Sequence, residues 1–108
     1  MLRRRGSQRD GPRRIGDVFI DPSRREVKVG DRSVALANKE FSLLCALAAD
    51  PSRVFTKEEL LRDVWGFRSM GRTRTLDSHA SRLRRKLDPE SGTYVINVWG
   101  VGYRLIDR

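Results

Sequence analysis

The stretch RTLDSHASRLRRKL, Arg74 to Leu87, constrains this chain more than any other. Its apolar residues Leu76, Ala80, Leu83 and Leu87 follow in steps of four, three and four. At about 3.6 residues per turn they form one narrow stripe on a helix. The stripe needs a core supplied by the rest of the chain, and Arg74, Ser78, Ser81, Arg82 and Arg85 then point away from that core while His79 and Arg84 flank it. Two readings are open: a solvated helix that is merely basic, or a helix built to lie against something acidic. Short Ser side chains between Arg side chains permit close approach to another surface, whereas a solvated face more often mixes Glu with Lys.

The charge balance favours the second reading. Lys and Arg number 23 against 14 Asp and Glu in 108 residues, a formal net charge of +9. That field attracts polyanions, nucleic acid first and anionic membrane surface second. Insertion into a membrane is not expected, because no apolar run approaches the roughly 18 to 20 residues of a span. Met1-Leu2 is followed at once by Arg3-Arg4-Arg5, with no apolar segment of a signal peptide. The lone Cys45, in LLCALAA, reads as a core thiol. The expected compartment is cytoplasmic.

The chain divides into an expected flexible linker or tail at 1–14 and one domain at 15–108. From Ile15 to Leu36 a period of two predicts a small antiparallel sheet: VFI at 18 to 20, then Val27 and Val29, a tight turn at Gly30-Asp31, and Val34 and Leu36. Asn38 to Ala49 carries apolar residues at helical spacing and stops at Asp50-Pro51. Thr56 and Glu59 form a capping box for a second helix, with Phe55 and Leu60 as its hydrophobic staple and Gly66 as its end. Arg72, Thr73 or Thr75 begins the third helix, with Thr73 or Thr75 as its cap, and Asp88-Pro89 halts it. Tyr94 to Val98 and Tyr103 to Ile106 then read as strands around Trp99-Gly100-Val101-Gly102, whose glycines allow positive φ. The predicted fold is α+β, a winged helix-turn-helix with an N-terminal antiparallel sheet, a three-helix bundle and a C-terminal β-hairpin wing. Its third helix suits the major groove, and the hairpin tip an adjacent groove or the backbone.

KEFSLL at 39 to 44, FTKEELLRDVWG at 55 to 66, RTLDSHASRLRRKL at 74 to 87 and WGVGYRL at 99 to 105 occur in that order, and from about Ile15 onward the chain resembles the DNA-binding effector domain of OmpR/PhoB-type two-component response regulators. The resemblance implies a four-stranded N-terminal sheet and transcription regulation at double-stranded promoter DNA, commonly by two copies in tandem on direct repeats. It places base and phosphate contacts at Arg74, Thr75, Ser78, His79, Ser81, Arg82 and Arg84, and wing contacts at Asn97, Trp99 and Tyr103. Trp65 stands where the family's Trp approaches the backbone, and loop 65–73 corresponds to the segment that meets RNA polymerase in some members. A receiver domain and a sensor kinase are the implied upstream partners. Nothing here resembles a receiver, and Met1 to Arg5 looks like the end of a receiver's last helix, so a fragment cut at that boundary is expected, with at most weak or DNA-dependent tandem dimerisation.

Departures from the family pattern bear on the site. Ala37-Asn38-Lys39 stands where many members have Thr-Pro-Thr, so Asn38 is expected to cap the first helix. Ser81 and Trp99 occupy positions that are often Arg, which removes two potential phosphate cations; Trp99 packs on sugar or on the sheet. Physically, Arg82 can offer a bidentate fork to guanine, Ser78 and Ser81 admit thymine methyls or bond base edges, and Arg74, Thr75, Arg84 and Arg85 suit phosphates. Lys86 reads as a solvated helix end. His79 either contacts DNA or borders the core, and Trp65 either packs or donates to phosphate.

Two other functions compete: a protein-interaction winged helix whose charge aids solubility, and a nonspecific DNA-binding module. RNA binding is disfavoured by the lack of an aromatic stacking platform. Catalysis is disfavoured too: there is one His, one Cys without a nearby base, no metal-ligand cluster, and GVG is too weak to suggest a nucleotide site. No catalytic residue, metal or cofactor is expected.

Overall fold

The computed structural model describes residues 12–66, 73–90 and 94–106. The described residues fall into two compact units, divided between Ala35 and Leu36.

The first unit is a four-stranded antiparallel meander of β1 (Arg13–Ile15), β2 (Val18–Asp21), β3 (Glu26–Val29) and β4 (Arg32–Ser33). Val18 and Ile20 are buried on the central strand with Ile15 and Val27 beside them, the side-chain alternation of a sheet with one covered face. Gly30 adopts φ 63°, the left-handed turn that pairs Val29 with Arg32. That register ends β4 at Ser33, so the expected strand through Val34 and Leu36 is corrected; beyond it Val34 still donates to the Val27 carbonyl. Strand β1 begins at Arg13 and pairs Arg14 with Phe19, so the sheet starts ahead of the expected boundary at residue 15. Of the rest of the expected linker, residues 1–11 lie outside the described residues.

The second unit contains α1 (Asn38–Ala48), β5 (Phe55–Thr56), α2 (Lys57–Leu60), a π-helical turn over Leu61–Trp65, α3 (Thr73–Leu87), β6 (Ile96–Val98) and β7 (Gly102–Arg104). Helix α1 starts one residue before expectation: Ala37 is its cap and Asn38 already lies inside. Alanine has no side-chain acceptor, so only half of a capping box forms, the Ala37 N–H donating to Glu40 Oε1 at 3.0 Å. At α2 both halves form, Glu59 N–H to Thr56 Oγ1 at 3.1 Å and Thr56 N–H to Glu59 Oε1 at 2.9 Å. Phe55 and Leu60 are both buried, as a staple requires. Gly66, at φ 76°, ends the π turn with its N–H on the Leu61 and Arg62 carbonyls. Thr75 lies inside α3 and is not its cap; Arg72, the remaining candidate start, lies outside the described residues.

All four residues of the α3 stripe, Leu76, Ala80, Leu83 and Leu87, are buried at 2 % exposure or less, together with Leu43, Leu44, Leu47, Leu60, Leu61 and Leu105. The wing is more than a hairpin: β5, β7 and β6 make a three-stranded sheet in that order. Phe55 pairs with Tyr103 and Thr56 with Gly102. A Cβ at Gly102 would stand 1.8 Å from the Phe55 carbonyl oxygen, so this glycine serves close strand approach, while Gly100 supplies the positive φ of the turn. Among the described residues no helix is long and apolar enough to cross a membrane.

Candidate nucleic-acid interface

Helix α3 carries five cations, Arg74, Arg82, Arg84, Arg85 and Lys86, and one acid, Asp77. With the leucine stripe buried, Arg74, Ser78, Arg82, Arg84 and Arg85 are exposed and Thr75, His79 and Ser81 are partly covered. Arg74, Ser78, Ser81, Arg82 and Arg85 border a shallow depression of about 500 Å³ on the outward face, with Asp77 at its edge. A second groove, about 360 Å³, runs between α3 and the wing, with Asp77, Ser81 and Arg84 on one side and Asn97, Trp99 and Tyr103 on the other. Nine of the twelve expected contact residues thus line one or the other depression; Thr75, Trp65 and His79 do not, and the two rings form a separate pair.

That pair is packed edge to face, ring centroids 5.1 Å apart and planes at 74°. The wide π turn at the end of α2 brings Trp65 to α3. His79 donates from Nδ1 to the Thr75 carbonyl at 2.8 Å, which fixes its tautomer. Both rings therefore have structural partners and both remain partly exposed.

At the wing, Trp99 is 87 % exposed and Val101 46 % exposed on either side of Gly100. Trp99 does not pack on the sheet, which settles that alternative. Asn97 is half-buried on β6, opposite Tyr103. Tyr103 itself departs from the expected surface contact: it is only 6 % exposed, and its hydroxyl donates to Asp77 Oδ1 at 2.7 Å. Burial, then the Asp77 carboxylate, pushes the Tyr103 pKa far above that of a free phenol. Lys57 Nζ reaches the same Asp77 oxygen at 3.3 Å.

Arg82 has a partner the sequence did not disclose. Its Nε lies 3.3 Å from Glu40 Oε2, and Lys86 Nζ lies 2.7 Å from Glu40 Oε1. Lys86 is therefore not simply a solvated helix end. Half of the Arg82 side chain stays exposed, so its terminal nitrogens can still face outward. Burial works to raise the Glu40 pKa, but Lys86, the Ala37 N–H and Arg82 outweigh it and hold the carboxyl below its ordinary range. Glu40, Lys57 and Asp77 were not singled out from sequence. Asp77 carried a signal, as the single acid in a basic helix; Glu40 carried none, since its partners lie 42 and 46 residues away.

Residues 31–105 match the family model described as transcriptional regulatory protein, C terminal. The chain belongs to that family, the OmpR/PhoB-type effector domains. It is 37 % identical over 106 residues to the heme response regulator HssR of Staphylococcus epidermidis, covering 97 % of this chain and 47 % of HssR. The chain thus spans about half the length of the curated relatives it matches. Among solved structures, the RstA DNA-binding domain of Klebsiella pneumoniae, crystallised with the RstA box, aligns with TM-score 0.80 and 29 % identity over 90 % of this chain and 98 % of that one. The Thermotoga maritima response regulator DrrB, an OmpR/PhoB homologue, aligns with TM-score 0.77 and 32 % identity over 89 % of this chain and 44 % of DrrB. The fold of an effector domain, with helices and wing in family order, is the one observed.

Proposed function

We propose that this chain is the DNA-reading output domain of a two-component response regulator, binding double-stranded promoter DNA in a sequence-specific way. The observation that carries the reading is the outward face of α3, with Arg74, Ser78, Arg82 and Arg85 exposed around one shallow depression and no apolar residue among them. A helix with such a face fits the major groove, and the wing beside it reaches the adjacent groove or backbone.

The roles divide by geometry. Arg82 offers its terminal nitrogens to guanine O6 and N7, and Ser78 and Ser81 meet thymine methyls or base edges. Ser81 also accepts from Arg85 Nη2 at 3.4 Å, a contact that Arg85 exchanges for phosphate on binding. Arg74, Thr75, Arg84 and Arg85 contact phosphates, which position the domain without reading sequence. His79 and Trp65 meet the backbone from the flank of α3 away from the wing, Asn97 and Trp99 from the wing, and Tyr103 acts from behind through Asp77. Two copies on a direct repeat reinforce each other through effective concentration. The segment 65–73, of which 67–72 lie outside the described residues, is the one assigned to RNA polymerase; a receiver domain and its sensor kinase supply the signal, in the cytoplasm.

Selection from a random duplex library with this chain at ~150 mM salt tests the reading. Enrichment of a half-site, or of two half-sites spaced by about one helical turn, is the expected result. A library that stays unenriched while bulk duplex still binds favours the nonspecific module. Failure to bind duplex at all favours the protein-interaction winged helix.

A further inference from the structure

Glu40 is 1 % exposed, sits in the first turn of α1, and faces α3 with its whole carboxylate. One oxygen takes the Ala37 N–H at 3.0 Å and Lys86 Nζ at 2.7 Å, and the other takes Arg82 Nε at 3.3 Å. The buried anion is thus satisfied from both helices. It holds, from behind, two cations of the helix whose outer face meets DNA. Its contact with Arg82 uses the Nε–H alone, and a guanidinium has four further N–H donors on its two terminal nitrogens.

We infer that Glu40 is a specificity-determining, positioning residue: it orients Arg82 for base reading and restrains Lys86 from phosphate. The inference rests on the DNA-reading function proposed above. An Arg anchored at Nε loses much of the freedom it would otherwise spend among many phosphate contacts, and presents one planar fork. The anion also cancels part of the pull of two cations on the duplex, and that pull is the sequence-independent part of binding. Both effects raise the ratio of specific to nonspecific affinity, the first by strengthening the numerator and the second by lowering the denominator. A carboxylate that served only to join α1 to α3 would change neither ratio nor salt dependence.

The test titrates the full 108-residue chain and its Glu40→Gln variant with two labelled duplexes, the sequence enriched by selection and its scrambled version. Thermal unfolding of each variant is recorded in parallel. The expected result is a specific-to-scrambled ratio at least about fivefold lower in Glu40→Gln, the loss of one good bidentate base contact. Affinity for the scrambled duplex is held or raised, and its salt slope steepens by about one unit or more as restrained cations reach phosphate. Glu90→Gln, the same charge change on an exposed residue away from Arg82, leaves the ratio unchanged. In an Arg82→Ala background Glu40→Gln changes the ratio by less than in the parent, because only the restraint on Lys86 is left to lose.

Should Glu40→Gln fail to fold, Arg82→Lys answers the same question, for it keeps the charge and removes the fork. It is expected to lower the ratio while scrambled-duplex affinity persists. Equal loss on both duplexes by folded Glu40→Gln, or an unchanged ratio in Glu40→Gln or Arg82→Lys, overturns the inference. A parent chain that binds both duplexes alike refutes the proposed function itself, and the inference with it.

Discussion

The Tyr103 hydroxyl donates to Asp77 Oδ1 at 2.7 Å, joining the wing strand β7 to the recognition helix α3. Lys57, from the start of α2, closes on the same oxygen at 3.3 Å. Three elements that are far apart in sequence are thereby tied together, and under the proposed DNA-reading function their angle sets which nucleotides the wing reaches while α3 occupies the groove. Removing the hydroxyl tests this. Tyr103→Phe keeps the buried ring and the Phe55 pairing, so its cost in stability is about 1 kcal/mol, the scale of one hydrogen bond to a partly exposed acceptor. Hydroxyl-radical footprinting is expected to lose wing protection and keep the protection given by α3; unchanged wing protection would show that the strand pairing alone sets the angle.

Gly102→Ala is expected to be worse for stability than Tyr103→Phe, although it adds a single methyl group. The new Cβ would lie 1.8 Å from the Phe55 carbonyl oxygen, and the backbone on both sides must move. Overpacking of this kind costs about 1 to 3 kcal/mol, read from the urea midpoint at unchanged slope. Gly100→Ala probes a different requirement, the left-handed φ of 77°, in open space at the wing tip.

Acid should weaken the helical unit through two named carboxylates. Glu59 is held below its ordinary pKa chiefly by the Thr56 N–H and further by Arg53, and Glu40 by Lys86, Ala37 and Arg82 against the cost of burial. A group whose folded pKa is depressed contributes stability that is present above its unfolded pKa, about 4.5 here, and lost as pH falls through the folded value. Urea midpoints are therefore expected to be level from neutral pH down to about 5 and to fall below about 4.5. Glu59→Gln should lower the plateau and flatten the fall. A variant with the same acid dependence as the parent would remove Glu59 from the account.

The split between base readers and phosphate binders predicts different signatures for neighbouring arginines. Arg82→Ala should narrow the gap between matched and scrambled duplex, by about 1 to 3 kcal/mol of discrimination. Arg84→Ala should weaken both alike and reduce the salt slope by about one unit. Unfolding curves must accompany Arg82→Ala, because it leaves Glu40 with Lys86 and Ala37 as its partners. Identical signatures for the two variants would remove the distinction.

What could be read from sequence was what is written locally. The leucine stripe of α3, the Thr56–Glu59 box and the Gly66 stop are short patterns within single elements, and each is observed where expected. The Asn38 cap failed because helix entry was decided by one residue of phase, which put Ala37 at the cap and Glu40 under it. The pairing of β5 with β7, and the role of Gly102 in it, joins Phe55 to Tyr103 and has no local signature. The same holds for the site: exposed Arg74, Ser78, Arg82 and Arg85 follow from helical phase, whereas the anions that hold Arg82 and Tyr103 are tertiary facts. Trp99 shows the limit from the other side, since a hairpin tip gives no rule for whether an aromatic folds back or, as here, stands 87 % exposed.

The most direct test of the central claim is a fluorescence-anisotropy titration of this chain at ~150 mM salt against its selected duplex and a scrambled duplex of equal length. A sequence reader is predicted to hold the selected duplex at least about tenfold more tightly, with nonspecific binding left far behind by the base contacts of α3. Superimposable titration curves for the two duplexes would contradict it, and would leave the basic face of α3 as a general cation for DNA.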